Sequence, residues 1–290
     1  MKVWRDQSMK RFAMLACLSL FLTFVSFFPE GISWGADSEI IVVSREDGSG
    51  TRGAFIELFG VLRENVDRTA ATAEITNNTA VMMTSIAGDA NAIGYISLGS
   101  MNDTVKAVKI DGTDATADNI KNGSYKISRP FIVATKGDVS AAAKAFIGFI
   151  MSREGQDIAA AGGYIKINEG SPFSGGKPQG RVVVAGSSSV TPLMEKLAEA
   201  YKKVNANTEI EIQQSDSSTG MNAVIDGVCD IGMSSRELKD SEKEKGLAPS
   251  VIAMDGIAVI VNKSNPVTNM TKDQVMKIFT GEITGWSGVK

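Results

Sequence analysis

The chain has 290 residues, 43% of them apolar and 22% charged, with 30 basic side chains against 33 acidic ones and a net charge of −3. That is enough apolar material for one large domain or two lobes, and the acidic balance, with no basic face in evidence, argues against a nucleic-acid partner. Histidine is absent, which removes the commonest general base and metal ligand.

Lys2, Arg5, Lys10 and Arg11 precede an uncharged apolar stretch from Phe12 to Phe28, and the small residues of Ser33-Trp34-Gly35-Ala36 follow. A basic start, an apolar centre and a small-residue exit describe a secretory signal peptide. Residues 1–36 are therefore read as a leader cleaved near Gly35–Asp37, and the mature chain as an exported, periplasmic protein. The apolar run is shorter than the ~20 residues of a membrane span. Cys17 lies inside it without a lipobox, so lipidation is not expected. Cys229, in Val228-Cys229-Asp230-Ile231, is then the one cysteine of the mature chain, a small buried thiol with no disulfide partner.

From Asp37 onward strand-like and helix-like segments alternate, the pattern of an α/β fold. Strands are expected at Ile40–Val43, Ala92–Ile96, Val105–Ile110, Phe131–Ala134, Arg181–Ala185, Glu209–Gln213 and Val251–Val261. Helical spacing is clearest in "TPLMEKLAEAYKKV", where Leu193, Leu197, Ala200, Tyr201 and Val204 share a face and Pro192 fits the first turn. "AAAKAFIGFIMSREGQDIAAAGG" reads as two helices broken near Ser152 and stopped by Gly162-Gly163. Residues 168–180, "NEGSPFSGGKPQG", have no periodicity and read as a linker.

Four strand ends run into loops of one character: "SREDGSGTRG" (44–53), "GSSSVTP" (186–192), "SDSSTG" (215–220) and "SSRE" (234–237). Each alone is an ordinary set of helix caps. Together they suggest a shared crevice, because strand C-terminal ends converge in such sheets. Hydroxyls, backbone N–H groups at helix starts and the guanidinium of Arg45 are the donors a dehydrated anion requires.

Other chemistries fit poorly. "EDGSGTRG" lacks the lysine and spacing of a phosphate-transfer loop, no serine has a suitable lysine motif to replace the missing histidine base, and one cysteine without histidine serves no metal site.

"VSREDGSGTRGAF", "VAGSSSVTPLMEKLAEAY", "CDIGMSSREL", "MDGIAVIVNKSNPV" and "QVMKIFTGEITGW" resemble the signature segments of the phosphate-binding proteins of phosphate ABC transporters. The resemblance covers nearly all of residues 38–167 and 180–290. It implies a two-lobed α/β clamshell of the periplasmic-binding-protein type (type II), with two mixed sheets flanked by helices. One lobe would combine residues 37–134 and 259–290, and the other residues 135–258 with the 168–180 linker. Hinge strands would lie near Ser128–Ala134 and Met254–Val261. The family's order begins at the "GSSSVTP" segment, whereas here "SREDGSGTR" comes first, so the chain looks circularly permuted, or like adjoining halves of a tandem array.

Carried over by motif, the anion contacts implied are Arg45, Ser49, Gly50 and Thr51 in the first loop, then Ser189, Val190 through its backbone N–H, Ser217 and Ser235. Ser235 stands where well-known members carry an aspartate that accepts the phosphate proton. Asp47 is the candidate replacement, with a plain turn residue pairing with Arg45 as the alternative. The function implied is capture of inorganic phosphate by a monomeric, non-enzymatic protein that serves an inner-membrane permease and needs no cofactor or metal. The other possibility is an exported oxyanion sensor or adhesion module.

Overall fold

A computed structural model describes residues 38–289 of the chain, so the leader expected at 1–36 lies outside the described residues. In chain order the first elements are β1 (Ile41–Arg45), α1 (Gly50–Phe59), β2 (Leu62–Arg63), β3 (Val66–Asp67), β4 (Glu74–Thr76), α2 (Thr79–Gly88) and β5 (Ala92–Ser97). Next come β6 (Val105–Ala107), β7 (Lys109–Ile110), α3 (Ala117–Lys121), β8 (Ser128–Lys136), α4 (Ala141–Ile150) and α5 (Arg153–Ala161). The remainder runs through β9 (Gly180–Ser187), α6 (Thr191–Val204), β10 (Thr208–Ser215), α7 (Ser217–Ile225) and β11 (Ile231–Ser234). Last are α8 (Asp240–Glu244), β12 (Leu247–Asn262), β13 (Asn269–Met270) and α9 (Lys272–Phe279).

The expected two mixed sheets run together. Their strands follow the order β10-β9-β11-β8-β12-β5-β1-β4, with β6 added on β12 to make nine strands. The cause is β12, whose 16 residues pair with β8 over Leu247–Gly256 and with β5 over Ile257–Val261. Its second half, Ile257-Ala258-Val259-Ile260-Val261, is buried throughout, the near-continuous apolar run of a strand covered on both faces. The outer strands pair in parallel and the central ones antiparallel. This gives two α/β lobes sharing one curled sheet, with helices on its faces.

The lobes have separate apolar packing. Phe131, Val133, Ile252 and Ala253 sit with Val182, Leu193, Leu197 and Tyr201 in one cluster, while Ala258 and Ile260 sit with Val43, Met82 and Ile96 in another. α6 presents Leu193, Met194, Leu197 and Tyr201 to the first, with Pro192 at its start and Lys202 and Lys203 in its last turn, where cations favour the helix dipole. α4 and α5 part at Ser152, whose Oγ accepts the Gly155 N–H. Cys229 is free and buried.

Some expectations shift. The 105–110 segment makes two short strands, and helices α2 and α9, which have no place among the periodic segments read above, are present. The 168–180 segment has no helix or strand before Gly180, yet it is strapped down. The Arg153 N–H donates to Ser171 O at 2.9 Å, the Phe173 N–H to Glu154 Oε2 at 2.9 Å, and the Phe173 ring stands edge-on to Phe149 at 5.6 Å.

Candidate functional site

Four helices begin at buried residues that meet one another. Ser49 accepts the Arg52 N–H and caps α1; Asn78 caps α2 through the Val81 N–H; Asp216 caps α7 through the Thr219 N–H. The turn Ser187–Val190 leads into α6. With the caps satisfied locally, the first-turn residues Gly50, Thr51, Thr79, Thr191 and Ser217 are free to face inward, and all are buried. β9 and α7 meet closely because both carry glycine: a Cβ at Gly220 would lie 2.6 Å from the Gly186 Cα. Ser187 and Ser217 both come within hydrogen-bonding reach of Ser235 Oγ.

Hydroxyls then touch across the cleft. Thr51 Oγ1 lies 2.7 Å from Ser189 Oγ, and Thr79 Oγ1 lies 3.3 Å from Ser188 Oγ and 3.2 Å from Ser189 Oγ. Ser187 Oγ donates to Ser235 Oγ at 2.9 Å, and the Ser235 N–H donates to Ser217 Oγ at 3.1 Å. The Ser218 N–H reaches Gly48 O at 3.2 Å, so the first loop closes over the start of α7.

Arg45 ends β1 with 2% of its surface exposed. Its Nη2 donates to Ser188 Oγ at 3.1 Å and its Nη1 to Thr79 Oγ1 at 3.4 Å. Its Nε and Nη2 also grip the Glu46 carboxylate, both at 2.7 Å. Its backbone N–H donates to the Tyr95 hydroxyl, which burial pushes up to about 12, so it stays protonated. A second arginine, Arg129 on β8, is equally buried. It pairs with Asp255 of β12 at 3.2 Å and donates through Nη1 to Thr51 Oγ1 at 2.9 Å and to Ser235 O at 2.7 Å. Burial drives the Asp255 carboxyl upward against the pull of Arg129.

Arg45, Ser49, Gly50, Thr51, Ser189, Ser217 and Ser235 thus gather in one place. Val190 is there too, but its N–H donates to Ser187 O at 3.0 Å and is engaged in the turn. Asp47 is not: its side chain is 95% exposed and pairs with Arg52 at 2.6 Å, because the tight turn before α1 points it outward. The carboxylate on Arg45 is Glu46. Sequence reasoning missed Thr79, Ser188 and the Arg129–Asp255 pair. Asn78-Thr79 ahead of the apolar "AVMM" was a legible cap signal, and a charge inside each of two apolar strands was a sign of pairing. Among the described residues no three His, Cys, Asp or Glu side chains gather as a metal site, and no helix is long and apolar enough to cross a membrane. Neutral donors, two guanidiniums and four helix N-termini around one small volume equip the cleft to hold an oxyanion.

A family model described as the PBP superfamily domain matches residues 27–154 and 171–288. The phosphate-binding protein PstS 2 of Streptococcus agalactiae is 55% identical over 254 residues, 86% of this chain and 87% of that protein. A crystal structure of the phosphate-binding protein of a phosphate ABC transporter from Streptococcus pneumoniae is 42% identical, with a TM-score of 0.69, covering 87% of this chain and 100% of that one. The phosphate-binding protein PstS of Bacillus subtilis is 34% identical over 128 residues, 43% of each chain. By these matches, the chain belongs to the PstS family of phosphate-binding proteins, within the PBP superfamily.

Proposed function

We propose that this protein captures inorganic phosphate between its lobes and hands it to an ABC permease, as an exported binding protein with no catalytic step and no cofactor. The observation that carries this reading is the buried set of hydroxyls at four helix starts, spanned by Arg45. Arg45 supplies the charge-assisted bonds; Ser49, Thr51, Thr79, Ser188, Ser189 and Ser217 supply hydroxyls. The N-terminal turns add favourable dipole ends. Thr51–Ser189 and Gly48–Ser218 are the contacts a closing clamshell makes, with residues 37–134 and 259–290 as one lobe, 135–258 as the other, and β8 and β12 as the hinge.

The order of the segments is read as a circular permutation within one monomeric chain binding one anion. The leader at 1–36 would deliver the mature chain outside the membrane.

Calorimetry with phosphate and sulfate tests the function. Phosphate should bind the more tightly, and Arg45→Ala should weaken it about tenfold to a hundredfold, since a charge-assisted bond lost from a closed cleft strands part of the anion's charge. Tighter sulfate than phosphate in the unmutated protein would overturn the phosphate assignment.

A further inference from the structure

We propose that Arg129 is a positioning residue for anion capture, holding the Thr51 hydroxyl in the orientation that donates into the cleft. This inference rests on the phosphate reading above. A hydroxyl has one proton to give and lone pairs to receive, so an N–H donor behind its oxygen leaves the proton for whatever lies in front. Several cleft hydroxyls are pinned in this way. Ser49 Oγ receives the Arg52 N–H at 3.3 Å. Ser217 Oγ receives the Ser235 N–H at 3.1 Å. Ser188 Oγ receives Arg45 Nη2 at 3.1 Å and the Thr79 N–H at 3.3 Å.

For Thr51 the donor behind is neither backbone nor Arg45. It is Arg129 Nη1, at 2.9 Å. The guanidinium is aimed by three restraints: Asp255 Oδ2 on Nη2 at 3.2 Å, Ser235 O on the same Nη1 at 2.7 Å, and the Phe131 ring 5.3 Å below its carbon. Asp255 and Arg129 are register partners on β12 and β8, and Asp255 Oδ1 also receives the Gly99 N–H at 3.3 Å. One nitrogen therefore reaches Thr51 at the start of α1 and Ser235 beyond β11, on the two sides of the cleft. With Arg129 donating to its oxygen, the Thr51 hydroxyl is left to donate, and in this structure it faces Ser189 Oγ at 2.7 Å, the position from which an anion between the lobes would receive the proton. Asp255 offsets the charge of Arg129 as Glu46 offsets that of Arg45, so the part assigned to Arg129 is to orient a hydroxyl and not to add net charge.

A double-mutant cycle read by phosphate calorimetry tests this. The variant Arg129→Met with Asp255→Asn removes the donor without leaving either buried charge unpaired. It should weaken phosphate about tenfold to a hundredfold in the natural background. In a Thr51→Ala background the same pair of changes should cost about threefold or less, because the hydroxyl they act through is gone. Equal factors in the two backgrounds would overturn the proposal, since a structural or purely electrostatic role does not depend on Thr51. If the paired variant fails to fold, the cycle is run with Arg129→Lys, which keeps Asp255 partnered, and is judged by the same criterion. An unmutated protein that binds sulfate or arsenate but not phosphate overturns the phosphate assignment alone, and the cycle is then read with that anion. Binding none of the three overturns both.

Discussion

At Gly50 a Cβ built on the backbone would lie 2.4 Å from Ser217 Oγ and 2.7 Å from Ser235 Oγ. Gly50 is the first residue of α1 and has no positive φ, so alanine is acceptable to its own helix. The cost of a methyl group falls on the start of α7 and on the residue after β11, which carry the Ser217 and Ser235 hydroxyls. Gly50→Ala should therefore hold the cleft ajar: phosphate affinity falls about tenfold or more, while the thermal midpoint without anion moves little. Calorimetry beside a melt checks this. An unchanged affinity would mean that Gly50 does not face Ser217 in the bound state. Asp47 and Glu46 illustrate the same scale. They are adjacent, yet one is in solvent against Arg52 and the other on the fork of Arg45.

Among the elements, the segment ahead of β9 behaves less like a tether than its composition implies. Pro178 O receives Asn205 Nδ2 at 2.9 Å and Thr208 Oγ1 at 2.7 Å, and Phe173 packs near Phe149 and Tyr201. The strap covers one edge of the apolar cluster around α4, α5 and α6. Phe173→Ala removes an aromatic side chain that is only partly buried, so its cost should sit below that of a full core truncation, at about 1–3 kcal/mol. Urea unfolding should show a lower midpoint with an unchanged slope. An unchanged midpoint would return the segment to the status of a free linker.

For the whole molecule, stability should fall in acid through two carboxylates, the buried Glu242 and the partly buried Asp67. Burial opposes charge on Glu242, but Arg236 and the Lys239 N–H outweigh it and hold the carboxyl below its ordinary 4.5. Burial likewise opposes charge on Asp67, and Thr69 and Arg52 outweigh it, holding the carboxyl below 3.8. A carboxylate depressed in the folded state stabilises at pH above its unfolded value, and that stability drains away as the pH falls through the folded value. Asp255, raised by burial, works the other way, since the folded state takes up its proton more readily. Melting temperature should thus stay level from about pH 8 to 5 and drop below about pH 4. Glu242→Gln should melt lower at neutral pH and show a shallower acid decline; a decline as steep as that of the unmutated protein would remove Glu242 from the account.

Local chemistry was enough to read the α/β alternation, the span of α6 from Thr191 to Val204, the break at Ser152 and the Ser/Thr/Gly loops, because caps, proline and 3.6-residue spacing act within a few residues of chain. The same local chemistry marked the Ser/Thr/Gly loops and the guanidinium of Arg45, while the choice of Ser49, Gly50, Thr51, Ser189, Ser217 and Ser235 as individual contacts came from the family resemblance. What only the tertiary structure decided depends on residues far apart in the chain. Thr79 meets Ser188 across 109 positions, and Arg129 meets Asp255 across 126. The two halves of the sheet join because β12 passes from β8 to β5. The exposure of Asp47 beside the burial of Glu46 follows from how the first loop turns into α1. Pairing over such distances is fixed by the register of packed strands, which no local spacing records.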